Sequence, residues 1–250
     1  MHLNVSQASL LLHRLHERIQ IHRDIEVVLA PSLVCLQPMS LQIDRRKFRL
    51  MAQNGFAKDE GAMTGEVSMT MLHDLVHYVI VGHSERRHLL GESHDMIRDK
   101  VTAAVRNGIV PWLCVGETKE ERASGEMKQV IHDQLLTGLS NLTAHEVGDM
   151  VIAYEPVWAI GTGESATPEQ AAEVAGCIRQ NIEAVFGRYA AHAVRVVYGG
   201  SVTPGNARAF ADVDGIDGFL VGGASLNYQE FAAIVQAAYR SIHNLSLGGN

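Results

Sequence analysis

Cysteine is scarce in this chain: Cys35, Cys114 and Cys177 are three in 250 residues, odd in number and far apart. They offer neither a disulfide framework nor metal-ligand spacing, which points to a reducing compartment. Long apolar runs are missing as well. Although 46% of the residues are hydrophobic, no stretch approaches the ~18 consecutive apolar residues of a membrane-spanning helix. Positive charge is in short supply, with 21 Lys and Arg against 28 Asp and Glu, a net charge of −7 and a pI near 6.0. That balance argues against nucleic acid or an anionic membrane as partner. An anionic substrate has to be held locally, by backbone N–H groups or a few placed cations. No composition break, Pro/Ser-rich linker or low-complexity tract divides the chain, so a single domain over residues 1–250 with one large core is expected. The opening, MHLNVSQASLLLHRL, predicts an amphipathic helix, since a signal peptide calls for a basic n-region and an unbroken apolar core. A soluble, cytoplasmic protein is expected.

What is present is a regular alternation. Short β-rich runs at 26–30, 48–53, 78–81, 110–115, 150–154, 194–198 and 218–221 are separated by longer helical patterns. Most of these runs are nearly continuous in Val, Ile and Leu, as parallel strands buried on both faces are. Thr167-Pro168-Glu169-Gln170 supplies an N-cap hydroxyl, a proline at the first helical position and a capping-box Gln, and Thr203-Pro204 predicts a second helix start of this kind. Leu10, Leu11, Leu15 and Ile19 recur at helical spacing on the first helix. Val130, Ile131, Leu135 and Leu139 do so within 118–141. Repeated βα units over this length predict an α/β fold, a (β/α) barrel, with an open doubly wound sheet as the alternative. The count is seven strands and eight helices, beginning with a helix. A closed (β/α)8 barrel needs one more strand ahead of it.

Polar residues gather just after the strands, where a barrel builds its site. The run 150–154 ends in Glu155, and a proline and a loop bounded by Gly161 and Gly163 follow. After 78–81 comes Gly82-His83-Ser84-Glu85, and His83 can serve as acid, base or neutral donor. His77 and His88 are read as ordinary helix-face histidines, and Cys114 as a packing residue. Gly199-Gly200-Ser201 and Gly222-Gly223-Ala224-Ser225 follow the last two strands. Paired Gly-Gly turns allow backbone N–H groups to approach an anion closely.

These segments, GHSERR (82–87), CVGE (114–117), AYEPVWAIGTG (153–163), YGGSV (198–202) and VGGASL (221–226), resemble the triosephosphate isomerase family in its order and spacing. AQN (52–54) and GAMTGE (61–66) resemble its third-strand and interface-loop segments. The resemblance covers the whole chain and implies a TIM (β/α)8 barrel that interconverts dihydroxyacetone phosphate and D-glyceraldehyde 3-phosphate through an enediolate. It implies Glu155 as the base, His83 as the neutral electrophile and Glu85 as an orienting acid. It further implies a lid over 156–166 whose Gly161 N–H reaches the phosphate, with Ser201, Gly222 and Gly223 completing the cradle. No metal or organic cofactor is implied. A homodimer is, with Thr64 of the 55–66 loop approaching the partner's site.

One departure stands at the start. The family places Asn-Trp-Lys just before the methionine that is residue 1 here, so the first barrel strand and the lysine at its tip are expected to be missing. Two consequences are weighed: an ordinary isomerase whose sequence starts one strand late, and a truncated, weakly active or inactive barrel acting as a binding or interaction protein. A third reading, another phosphate-binding barrel enzyme, is disfavoured by Glu155 and His83 at separate strand tips together with the lid over 158–163.

Overall fold

The computed structural model describes residues 1–160 and 165–243. Its sheet contains β1 (Val27–Leu29), β2 (Phe48–Ala52), β3 (Tyr78–Val81), β4 (Val110–Val115), β5 (Val151–Tyr154), β6 (Arg195–Tyr198) and β7 (Gly218–Phe219). Strand order follows chain order, and every neighbouring pair is parallel. All seven expected strands are there, none displaced at either end by more than two residues.

The continuous apolar runs are explained by two packed faces. Tyr78, Ile80, Trp112, Cys114, Val151, Ala153 and Val197 point to the inside of the curled sheet and form one cluster. The alternate residues Val79, Val81, Leu113, Val115, Ile152, Tyr154, Val196 and Tyr198 point outward and pack with the helices in a second, larger cluster. A two-residue side-chain period thus produces a strand with no polar face. The parity also decides where the tips point: Val151, Ala153 and then Glu155 occupy the inward row.

The sheet does not close. Among the described residues β1 and β7 are each paired on one side only. The curl is held from outside by helices Val5–Arg18 and Tyr228–Ile242, which pack against each other, with the Arg14 guanidinium 5.2 Å over the Tyr228 ring. The fold is therefore a (β/α) barrel with a gap between its first and last strands, as the strand count predicted.

The helices depart from the sequence reading in three respects. Eleven α-helices are found among the described residues rather than eight, because several connections hold two short helices. In 118–141, Gly125 at φ 76° separates Lys119–Ala123 from Met127–Leu139. Thr203-Pro204 does not open a helix directly: the Asn206 side chain takes the Thr203 N–H at 2.8 Å, and the helix runs over Ala207–Ala211. On the first helix Leu10 faces solvent while Ala8, Leu12 and Leu15 are buried, each Leu contributing about 1.5–3 kcal/mol by leaving water. The Thr167 capping box with Pro168 at the first helical position forms as expected.

Candidate active site

A cavity of ≈ 1370 Å3 occupies the C-terminal mouth of the barrel and extends down the gap between β1 and β7. His83, Glu85, Glu155, Ser201, Gly222 and Gly223 all lie on its wall. The strand order places them there, since each follows a strand whose C-terminal end faces the same mouth. Thr64 is exposed on the 55–66 loop; its neighbours Gly65 and Glu66 reach the wall. Gly161, with 162–164 of the expected lid, lies outside the described residues.

Glu155 is only 2% exposed. Its backbone N–H donates to the Val115 carbonyl at 2.8 Å, extending the β4–β5 ladder by one rung. The turn after β4 approaches so closely that a Cβ on Gly116 would stand 1.7 Å from the Glu155 carbonyl oxygen; only glycine fits there. The carboxylate is held at both oxygens. Oε2 accepts the Ser84 N–H at 2.8 Å, and Oε1 lies 2.9 Å from His83 Nε2. Cys114 is fully inside, and burial together with the Glu155 charge pushes its thiol pKa well up, so it stays a neutral packing residue.

His83 caps the helix Ser84–His88, its Nδ1 accepting the Glu85 N–H at 3.3 Å. An Nδ1 that accepts leaves the proton on Nε2, which then donates to Glu155. Burial, the largest influence, pulls the ring's pKa down, but the hydrogen bond and charge of Glu155, with Glu85, outweigh it and the net shift is upward. The Glu85 carboxylate is mostly exposed, with Oε2 3.8 Å from His83 Nδ1. Its backbone N–H makes the closer contact.

The loop after β5 is anchored to Glu117, Arg122, Tyr154 and Tyr198, side chains to which the sequence assigned no role. Glu117 is fully buried, and its Oε1 accepts from Arg122 Nη1 (2.7 Å), Trp158 Nε1 (2.9 Å) and the Tyr154 hydroxyl (3.1 Å). Arg122 also lies over the Trp158 ring at 5.3 Å. Burial, then the Glu117 charge, pushes the Tyr154 phenol up, so it remains a neutral donor. On the far side the Ala166 N–H donates to the Tyr198 hydroxyl at 3.3 Å. One signal for these residues was available. Tyr154 and Tyr198 end outward-facing rows of apolar side chains, and a hydroxyl buried there needs a partner.

The turn after β7 folds back on itself, the Ser225 N–H and hydroxyl both donating to the Gly222 carbonyl, at 2.9 and 2.7 Å. After β6, the Ser201 carbonyl accepts from Asn206 Nδ2 at 2.8 Å. Residues of both turns line the cavity.

The family model described as "Triosephosphate isomerase" matches residues 1–238. The chain is 47% identical over 215 residues to the triosephosphate isomerase of Symbiobacterium thermophilum, covering 86% of this chain and 84% of that protein. It is 46% identical over 214 residues to that of Chloroherpeton thalassium, covering 85% of each. To that of Clostridium botulinum (strain ATCC 19397 / Type A) it is 42% identical over 211 residues, covering 84% of this chain and 85% of that one.

Proposed function

The chain belongs to the triosephosphate isomerase family, and on that premise we propose how its residues divide the interconversion of dihydroxyacetone phosphate and D-glyceraldehyde 3-phosphate. Glu155 is the base that lifts a proton from one carbon and returns it to the next. His83, neutral and protonated on Nε2, donates to the substrate oxygens and stabilises the enediolate. Substrate then takes the place of the contact between Glu155 and His83. That freed donor and freed carboxylate are what a proton transfer next to a carbonyl needs. The single observation carrying this reading is the 2.9 Å contact of the two groups on the cavity wall. Ser201, Gly222 and Gly223, with Gly161 of the lid, cradle the phosphate through backbone N–H groups. Such a cradle holds an anion without many cations, which suits a chain of net charge −7. Glu85 orients His83, through its N–H more than its carboxylate.

Glu155→Gln and His83→Gln are each expected to lower kcat by about 10²–10⁴-fold in a coupled assay with glyceraldehyde 3-phosphate. Unchanged turnover in either variant removes that residue from the scheme.

A homodimer joined through the 55–66 loop is part of the same proposal, supported by the exposure of Thr64 and of Met63 at the loop tip. Light scattering should report two copies, and Thr64→Arg should release monomers. The protein is further placed in the cytoplasm, a reading supported by three unpaired, buried thiols. No helix among the described residues is long and apolar enough to cross a membrane.

A further inference from the structure

Beneath the His83–Glu155 contact lies a guanidinium to which the scheme above gives no task. Arg87 Nε donates to the Gly82 carbonyl at 2.7 Å, and its Nη2 to the Cys114 carbonyl at 2.8 Å. Gly82 immediately precedes His83, at the tip of β3. Cys114 lies in β4, in register with Ala153 of β5, and the next carbonyl, Val115, receives the Glu155 N–H. One side chain therefore bolts the tip that carries His83 to the tip on which Glu155 is hung.

The backbone is shaped to admit it. Gly82 has φ 71°, and a Cβ there would stand 2.9 Å from Arg87 Nη2 and 3.1 Å from the nearest Ile97 carbon. Arg87 Nη1 is buried without a hydrogen-bond partner among the described residues. A buried charge that is incompletely paired is a poor stabiliser compared with a well-packed apolar side chain. Its forked geometry does something an apolar side chain cannot do: it holds two carbonyls from different strands at a fixed separation.

We propose that Arg87 is a positioning residue for the isomerisation, setting the distance and angle between His83 and Glu155 by clamping the Gly82 and Cys114 carbonyls together. The proposal rests on the reading that His83 and Glu155 handle the proton. It differs from that reading in placing the control of geometry in a side chain that never meets the substrate.

The test uses Arg87→Lys, which keeps the charge and loses the fork, made in the full chain alone and together with His83→Gln. Displacing catalytic groups by about 1 Å costs on the order of 10²-fold, so Arg87→Lys should lower kcat about tenfold or more while KM stays within about twofold. In the His83→Gln background the same change should cost less than about twofold, because the group it positions is already gone. A readout independent of turnover is the NMR titration of the His83 ring, whose neighbours are Glu155, Glu85 and Arg86. Loosening the Glu155 contact should move its midpoint to lower pH. A kcat within twofold of the parent overturns the proposal. So does an equal fold-loss in both backgrounds with an unmoved His83 midpoint, which is the signature of a purely structural arginine. Undiminished kcat in His83→Gln alone overturns the proton-transfer reading itself, and that outcome no Arg87 variant can mimic.

Discussion

His83 and Glu155 hold each other on the cavity wall, and this has a measurable sign. Burial alone would lower the His83 pKa below its ordinary 6.5, and Glu155 is the main reason it rises instead. Replacing Glu155 by Gln should therefore drop the His83 midpoint, read by NMR, to below that ordinary value. A midpoint that stays raised would show that the two groups do not share the proton. For stability the direction is that of a group with a raised folded pKa. Its contribution is complete below pH ~6.5 and is lost as pH rises through the folded value. Glu92 supplies the opposite case. It is nearly inaccessible, accepts from Arg86 Nε at 2.6 Å, and pairs with Lys100, whose Nζ also donates to Asn54 Oδ1 at 2.8 Å. Burial raises its pKa, but the hydrogen bonds and charges of Lys100 and Arg86 prevail and the net shift from 4.5 is downward. Glu92→Gln leaves Lys100 buried without its counter-charge, a loss of about 3 kcal/mol. That corresponds to a melting temperature about 6–12 °C lower at neutral pH. The deficit should shrink as pH falls through the folded pKa of Glu92. A pH-independent deficit would mean that the charge is not what matters.

At the scale of elements, the loop after β5 is tied down at both described ends. Its start, the 3-10 turn Val157–Ala159, hangs on Glu117 through Trp158, and Ala166 hangs on the Tyr198 hydroxyl. A hydrogen bond to a charged acceptor contributes about 1.5–3 kcal/mol, so Trp158→Phe weakens the hold on the start of this loop while keeping most of the apolar contact and the Val157 N–H bond to the Glu117 carbonyl. The expected result is a kcat/KM lower by about tenfold or more with the sheet unaltered by circular dichroism. No change in kcat/KM would detach this anchor from the function of the loop. The short helices at strand tips follow from the same local chemistry. His83 caps Ser84–His88, and the Thr118 capping box opens Lys119–Ala123, so these two tips are held by hydrogen bonds within their own turns.

For the molecule as a whole, the dominant feature is the gap between β1 and β7. The cavity running through it is lined by Leu12 and Leu15 from the first helix and by Phe231, Ile234 and Val235 from the last. Inward-facing Met51, Ile80 and Trp112 also line it. An apolar strand placed there would pair with both edges and pack on both faces, as β2 to β6 do. Unpaired edges also invite association between chains. A version in which a designed apolar strand fills that gap should therefore melt at a higher temperature, and an unchanged melting temperature would show that the open edges of β1 and β7 carry no cost.

The seven strands, their sequence of pairing and their burial on both faces were legible in the amino-acid order. Apolar runs carry a local period, and successive parallel βα units leave little choice of neighbour. The open edge was legible by counting. Glu155, His83 and the two Gly-Gly turns could be placed at strand ends, and the family resemblance joined them. Tertiary structure alone decided what each of them touches: that Glu155 rests on the Ser84 N–H and His83 Nε2, that Glu117 gathers Tyr154, Trp158 and Arg122, and that Arg87 spans two strand tips. Those contacts link residues distant in the chain, and their distances depend on the curl of the sheet and on close backbone approaches such as that at Gly116. A period of two or of 3.6 residues says which face a side chain takes, and only the packed barrel brings two such faces together.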